Sequence, residues 1–127
     1  MGQDKLKVNL VAEEGASLSS GSLRLYALPY GCVDLYSYDP LNKRAAVGIV
    51  VASEYRRKGY GLAMLRELEK LSTTNYQLHT LFADIAVINT ASLALFTKAG
   101  YTECGHFKEW LEYDSHFIDN IRMQKLL

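Results

Sequence analysis

The sequence predicts an α/β (α+β) fold built on a mixed, mostly antiparallel twisted sheet of six to seven strands with one central parallel pair. Three observations predict it. Residues 22–52 alternate apolar and polar side chains in three short segments, as antiparallel strands with one buried face do. Residues 47–87 run from a β-branched segment through a glycine-containing turn and a helical stripe into another apolar segment, which implies a parallel pair. Residues 101–126 add two long candidate strands.

The N-terminal region shows little helical character. Residues 1–5 are polar, and Leu6, Val8 and Leu10 alternate with polar residues as a first strand would. Residues 13–21 are mostly small or polar and have no helical period, which is typical of a flexible connection. We therefore treat 1–127 as one domain, with an abbreviated N-terminal region (1–21) and a core (22–127).

The middle of the chain predicts a meander followed by a helix. Strands are expected at 22–28, 32–38 and 44–52, separated by turns at 29–31 and 39–43 that contain proline, glycine and asparagine. Leucines then recur every third residue over 61–71, with charged residues on the other side, which predicts an amphipathic helix.

The C-terminal third predicts strand, helix and hairpin. A strand is expected over 78–87, and Asn89 is a good N-cap for a short helix that ends at Gly100. Two strands, 101–113 and 116–126, should then join around residues 114–115. The aromatic residues expected to anchor this hairpin are Phe107, Trp110 and Phe117.

Composition limits the possible functions. The formal net charge is zero, which argues against a nucleic-acid partner held by bulk charge. No apolar run is long enough to span a membrane, and the N-terminus does not resemble a signal peptide. Cys32 and Cys104 are isolated, and the three histidines lack metal-ligand spacing. We expect a cytoplasmic protein without a metal site or a membrane partner.

The turn before the first predicted helix contains the residues that most strongly indicate a function. Arg56, Arg57 and Lys58 precede Gly59 and Gly61 at the helix start. A helix N-terminus offers unpaired N–H groups and a partial positive charge, and glycines let an anion approach the backbone. The turn therefore predicts a phosphate-binding site, although a glycine pair alone is more often a solvated loop. Neither the P-loop pattern nor a complete G-x-G-x-x-G is present.

The pattern R-x-x-G-x-G over 56–61 resembles the acyl-coenzyme A signature of the GNAT acetyltransferases. Residues 89–101, NTASLALFTKAGY, resemble that family's second motif, N-x-x-S-x-x-L-[YF]-x-K-x-G-[FY]. The resemblance covers roughly 22–127. It implies acetyl-coenzyme A as cofactor and a small-molecule or peptide amine as acceptor. The tail and the loop at 39–42 resemble the branch that acetylates ribosomal-protein N-termini; polyamine and aminoglycoside acetyltransferases have similar motifs, so the acceptor stays open.

The resemblance also suggests site residues. The general base that takes the amine proton is sought among three carboxylates: Glu54 first, then Asp34 and Asp84. The end of the strand near Val50 should supply an N–H to the thioester oxygen, where two parallel strands must separate to admit the cofactor. The expected cofactor-binding residues are Val50, Val51, Arg56, Arg57, Lys58, Gly59, Tyr60, Gly61, Asn89, Ser92, Phe96 and Lys98.

Two departures from the family pattern stand out. The family usually has two helices between its first and second strands, and nine small or polar residues cannot form them. Their absence would expose the sheet, which a homodimer partner could cover. The general-acid tyrosine of many members is replaced by Phe96, which cannot donate a proton. A coenzyme A-binding module without catalysis, acting as a sensor or interaction domain, is therefore the alternative function.

Overall fold

The computed structural model of the protein describes residues 6–127, which form a seven-stranded sheet and two α-helices. The strand order across the sheet is β1-β2-β3-β4-β5-β7-β6. Every neighbouring pair is antiparallel except β4 and β5, which confirms the predicted mixed sheet with its central parallel pair. The elements are β1 Val11–Ala12, β2 Leu23–Ala27, β3 Gly31–Asp39, β4 Arg44–Val51, α1 Tyr60–Thr74, β5 Thr80–Ala86, α2 Thr90–Lys98, β6 Thr102–Tyr113 and β7 His116–Leu126.

The hydrophobic core lies between one face of the sheet and the two helices. Val33 and Leu35 of β3 alternate into it and are fully buried, as are Leu65 and Leu68 of α1. The leucine spacing predicted this helix because it gathers apolar side chains on one side. The helix is longer than the predicted 61–71, since one polar turn continues to Thr74 before Asn75 caps it.

The opposite side of the sheet, which we call the open face, is polar. It carries Arg24, Asp34, Gly48, Asp84 and Arg122, all half-exposed or exposed. The buried residues of both helices belong to the other side, so neither helix of the part of the chain described here covers this face. The predicted absence of the two early helices is consistent with this: residues 13–21 contain only a single 3₁₀ turn, Leu18–Ser20.

The prediction for the first strand was wrong in position. Residues 6–10 form no strand, and β1 is the two-residue Val11–Ala12 paired with Tyr26 and Leu25. The alternation of Leu6, Val8 and Leu10 instead serves packing against the core without a hydrogen-bonding partner strand. The connection at 13–21 is also anchored, because Leu18 is only 2% exposed. Residues 1–5 lie outside the described residues.

The C-terminal hairpin forms as predicted, but two of its three predicted aromatic anchors, Trp110 and Phe117, are largely exposed. Residues 114 and 115 make the turn, both with positive φ. Trp110 and Phe117 are 65% and 58% exposed, and the Trp110 ring lies 5.2 Å from that of Phe107 on the same strand. What holds the two strands is the backbone ladder, reinforced where the Glu109 N–H donates to Asp119 Oδ1 at 2.8 Å.

Candidate active site

An opening separates the C-terminal halves of the two parallel strands. β4 and β5 pair only at Arg44–Thr80, Ala45–Leu81 and Ala46–Phe82. Beyond these residues β4 continues its pairing with β3, and β5 continues with β7. The main chain of β4 from residue 47 onward therefore faces β5 across a gap without hydrogen bonds between the two strands. Val50, at the end of this edge, is 56% exposed.

The turn between β4 and α1 leads from this edge to the helix start. It contains a 3₁₀ turn, Ser53–Tyr55, and its Arg56 Nε donates to the Val51 carbonyl at 2.9 Å. Arg56 was predicted to attract phosphate, and the structure uses its Nε to fix the turn against β4. Gly59 caps α1 with φ +92°, a conformation that costs other residues steric energy.

The N-terminus of α1 has the features of an anion site. No side chain caps it, so the first N–H groups of the helix have no side-chain acceptor within residues 6–127. Arg57 and Lys58 are exposed beside it, and within the same residues they form no hydrogen bond or ion pair. Two cations and a helix N-terminus at one turn concentrate positive potential where a phosphate group would bind.

Close packing holds this turn in place. A Cβ on Gly61 would lie 3.1 Å from Leu95 Cδ2 of α2 and 3.4 Å from Val51 Cγ2, so glycine is what lets the two helices meet here. On the other side Tyr60 stacks on Tyr30 with ring centroids 4.0 Å apart, and Tyr55 meets Tyr30 edge-on. The hydrogen bond that the Tyr30 hydroxyl donates to Tyr60, followed by the charge of Tyr60, raises the pKa of Tyr30.

The second motif forms α2 and borders the opening. Asn89 Oδ1 accepts a hydrogen bond from the Ser92 N–H at 3.2 Å, so Asn89 caps the helix as predicted. Phe96 is 2% exposed and packs edge-on against Tyr101, so its ring belongs to the core rather than to a surface site. Lys98 is exposed in the last turn, about 13 Å along the helix axis from Asn89.

The three candidate bases have different environments. Asp34 is paired with Arg24 at 2.8 Å, and Asp84 is paired with Arg122 at 2.8 Å. The hydrogen bond from Arg122 holds the pKa of Asp84 below its usual range, which weakens it as a base. Glu54 is exposed in the turn and, within residues 6–127, forms no hydrogen bond or ion pair. Of these three carboxylates, Glu54 is the one without an arginine partner among residues 6–127.

Sequence reasoning missed Tyr36 and Gly48. Both lie on the open face where β4 and β5 begin to separate, and a Cβ on Gly48 would be 3.6 Å from Tyr36 Cε1. The available signal was a glycine inside an otherwise apolar strand, which marks a close approach of another group. Among residues 6–127, no cluster of three His, Cys, Asp or Glu side chains is arranged for a metal ion. None of the helices described here has the length and apolar character to cross a membrane.

Comparison with known proteins identifies the family of this fold. The family model for the acetyltransferase (GNAT) domain matches residues 12–102, and the chain belongs to that family. The spermidine N(1)-acetyltransferase of Vibrio cholerae is 27% identical over 93 residues, which cover 73% of this chain and 54% of that protein. The chain thus spans about half the length of this curated relative.

Solved structures show the same fold. A crystal structure of spermidine N-acetyltransferase from Vibrio cholerae in complex with coenzyme A and spermine is 24% identical, with a TM-score of 0.79, covering 85% of this chain and 67% of that one. A dodecameric structure of the same enzyme in an intermediate state has a TM-score of 0.77 at 24% identity, with 84% and 65% covered. At this identity the likeness concerns the fold alone.

Proposed function

We propose that the protein transfers an acetyl group from acetyl-coenzyme A to a primary amine. The observation that carries the proposal is the opening between β4 and β5, which leads directly to the N-terminus of α1, where no side chain within residues 6–127 caps the helix. An extended cofactor arm fits the opening, and a pyrophosphate fits the helix end. Membership of the acetyltransferase family supports this use of the two features.

The residues around the opening suit that cofactor. The backbone at Gly59, Tyr60 and Gly61 would hold the pyrophosphate, with Arg57 and Lys58 adding charge. The backbone of Val50 and Val51 would line one side of the pantetheine arm. Asn89 and Ser92 would line the other side, beyond the end of β5. When bound, acetyl-coenzyme A supplies a thioester that a neutral amine can attack directly.

The chain's own contribution is to hold the acceptor and remove its proton. A protonated primary amine is not nucleophilic, so a base must accept a proton before acetyl transfer. Glu54 is the carboxylate we assign to this role, directly or through a water molecule, because Asp34 and Asp84 are engaged by arginines. The main-chain N–H groups near Val50 would polarise the acyl oxygen.

A charge-removal experiment tests the cofactor site. We expect the Arg57→Gln, Lys58→Gln double variant to bind acetyl-coenzyme A at least about tenfold more weakly, since each charge-assisted contact contributes about 1.5–3 kcal/mol. Isothermal titration at low and high salt measures this, and the parent should show the steeper salt dependence. The matched control, Lys70→Gln with Lys108→Gln, removes two exposed charges elsewhere. Equal loss in both variants, or no binding by the parent, would contradict the proposed site.

The amine acceptor is either a protein N-terminus or a small amine. The resemblance in the tail favours a protein N-terminus, as in the ribosomal-protein branch, whereas the relatives compared above are named for spermidine. Both are primary amines and both fit direct attack.

We also propose a cytoplasmic location, in keeping with two unpaired cysteines, Cys32 and Cys104. A homodimer is proposed as well, and sedimentation velocity tests it.

One observation favours a second function. The open face is not covered by helices within residues 6–127, so the acceptor side of the opening is bare. A coenzyme A-binding module that senses the cofactor or binds a partner would need the helix N-terminus but no acceptor site. Turnover separates the two functions: a protein that binds acetyl-coenzyme A yet releases no free thiol with any amine in a panel is such a module.

A further inference from the structure

The open face beside the opening has a distinct lining. β4 pairs with β5 for the last time at Ala46, and Gly48 lies two residues further along the same face. Because Gly48 has no side chain, the ring of Tyr36 from the neighbouring strand lies against it. The charges that act on the Tyr36 hydroxyl are those of Asp84 and Arg122, from the far side of the opening, and of Asp34. Tyr36 therefore stands at the point where the two parallel strands part.

The Tyr36 hydroxyl has no protein partner in the described structure. Within residues 6–127 it forms no hydrogen bond, and the residue is 37% exposed. Partial burial, followed by the charge of Asp84, raises the pKa of Tyr36, so the group stays a neutral phenol at physiological pH. A neutral phenol can both donate and accept a hydrogen bond. It can accept one from an amine N–H while donating its own proton to a second acceptor.

The charges around Tyr36 are already paired. Arg24 donates through Nε and Nη2 to the two carboxylate oxygens of Asp34, at 2.8 and 2.9 Å. Arg122 does the same to Asp84, also at 2.8 and 2.9 Å. Two bidentate pairs leave this part of the open face without net charge. The guanidinium of Arg122 also lies over the Phe82 ring at 4.6 Å, so that aromatic face is not open to another cation.

The absence of net charge near Tyr36 affects which class of amine can bind there. A triamine such as spermidine carries two ammonium groups besides the one that reacts, and the paired carboxylates near Tyr36, Asp34 and Asp84, offer them no net negative charge. An amine with an uncharged body needs only a hydrogen-bonding group for the reacting nitrogen and contact surface for the rest. Tyr36, with the neutralised pairs Arg24–Asp34 and Arg122–Asp84 beside it, provides a site of the kind that an amine with an uncharged body needs.

We propose that Tyr36 binds the acceptor at the opening and that this site selects an amine whose only cationic group is the one acetylated, rather than a polyamine. The inference rests on the proposed acetyl transfer and names the substrate class of that same site. Tyr36 is here an acceptor-binding residue, and the arginine-neutralised Asp34 and Asp84 set the specificity.

The first arm of the test uses the parent protein. Acetyl transfer is followed by thiol release with a neutral peptide, uncharged in its side chains and amidated at its C-terminus, and separately with spermidine. We expect kcat/KM for the peptide to exceed that for spermidine at least about tenfold. Equal or better use of spermidine overturns the inference and leaves the acetyltransferase function standing. Cofactor binding without transfer to any amine overturns both, and the titration described above identifies a failed cofactor site separately.

The second arm uses matched variants. Tyr36→Phe should raise KM for the peptide about tenfold, the loss of one hydrogen bond, and leave KM for acetyl-coenzyme A unchanged. Tyr26→Phe is the control, since Tyr26 lies on the same sheet but its hydroxyl donates to Glu13. Arg24→Gln should free the Asp34 carboxylate and shift the peptide-to-spermidine ratio towards spermidine. Kinetics of Tyr36→Phe indistinguishable from Tyr26→Phe, or an unchanged ratio in Arg24→Gln, would refute the assignment.

Discussion

The Asp84–Arg122 pair offers a test of how the open face is stabilised. Arg122 donates to both Asp84 oxygens, and Asn120, which is only 3% exposed, donates to Asp84 Oδ1 at 3.2 Å. Phe82 and Phe107 lie against the guanidinium at 4.6 and 5.5 Å. The pair is thus held in place by its neighbours, unlike a mobile surface ion pair. We predict that removing one partner costs more than the loss of a surface charge.

The size of the expected destabilisation follows from the partial exposure of the Asp84–Arg122 pair. Exposed ion pairs contribute about 0.2–1 kcal/mol, whereas breaking a fully buried pair costs about 3–5 kcal/mol. The two side chains here are 41% and 32% exposed, so solvent screening reduces the buried value. For Arg122→Met we expect a loss of about 2 kcal/mol in the free energy of unfolding, or about 8 °C in Tm for a chain of this length. The coupling energy between Arg122→Met and Asp84→Asn should be about 1 kcal/mol.

The stability that the Asp84–Arg122 pair contributes should decrease as the pH falls. The hydrogen bond from Arg122 lowers the pKa of Asp84 in the folded protein below its value in the unfolded chain. The stabilisation is therefore fully present above the unfolded pKa of about 3.9 and is lost as the pH falls through the folded pKa. Urea unfolding of the four proteins of the cycle at pH 7 and at about pH 2.5 measures this. The coupling should be largest at pH 7 and should weaken towards the lower pH.

The Arg24–Asp34 pair is the matched control. It has the same bidentate geometry on the same face, but Arg24 is 54% exposed and, among residues 6–127, no aromatic ring lies over its guanidinium. Its coupling should be clearly smaller. Equal coupling in the two cycles would show that the rings and Asn120 add nothing, and a coupling below about 0.3 kcal/mol for Arg122 would refute the reasoning altogether.

Two further predictions concern the helices that border the site. Asn89→Ala should destabilise the protein by about 0.5–2 kcal/mol, because the Ser92 N–H loses its acceptor; Asn89→Asp keeps a cap and should restore stability. Leu68→Ala should cost about 2–5 kcal/mol, since Leu68 is fully buried between α1 and the sheet, whereas the exposed Lys70→Ala should change little. Urea unfolding measures both. A loss below 0.3 kcal/mol for Asn89→Ala, or below 1 kcal/mol for Leu68→Ala, would contradict the packing described here.

The elements that could be predicted from sequence are those with local signals. The leucine period of α1, the Asn89 cap and the Gly100 stop of α2 each act within a few residues, so the pattern determines the element. The prediction of the first strand failed because apolar alternation indicates burial rather than a partner strand, and residues 6–10 pair with no strand of the described part of the chain. The exposed Trp110 and Phe117 show the converse error, since aromatic content alone does not indicate burial.

The sequence indicates the turn of the candidate site directly, but it does not indicate which residues of the open face lie beside that turn. Residues 56–61 are contiguous, so their chemistry can be read directly. The position of Tyr36 depends on the register of β3 against β4, and an irregularity between Tyr36 and Asp39 interrupts that register. The partner of Asp84 is 38 residues away in sequence. Such contacts depend on the assembled sheet, and no local pattern contains them.

Stability and acceptor choice are linked on the open face through its two arginines. Each arginine neutralises a carboxylate near Tyr36, so removing either one adds negative charge where the acceptor would bind. Removing Arg122 should destabilise the protein more than removing Arg24. Arg122 packs on two rings and holds a carboxylate that Asn120 also contacts, while Arg24 is largely solvated. A change towards polycationic acceptors is therefore more accessible at Arg24 than at Arg122. Variants selected for spermidine acetylation should carry substitutions at Arg24 first, and repeated selection of Arg122 instead would show that the rings do not hold that pair.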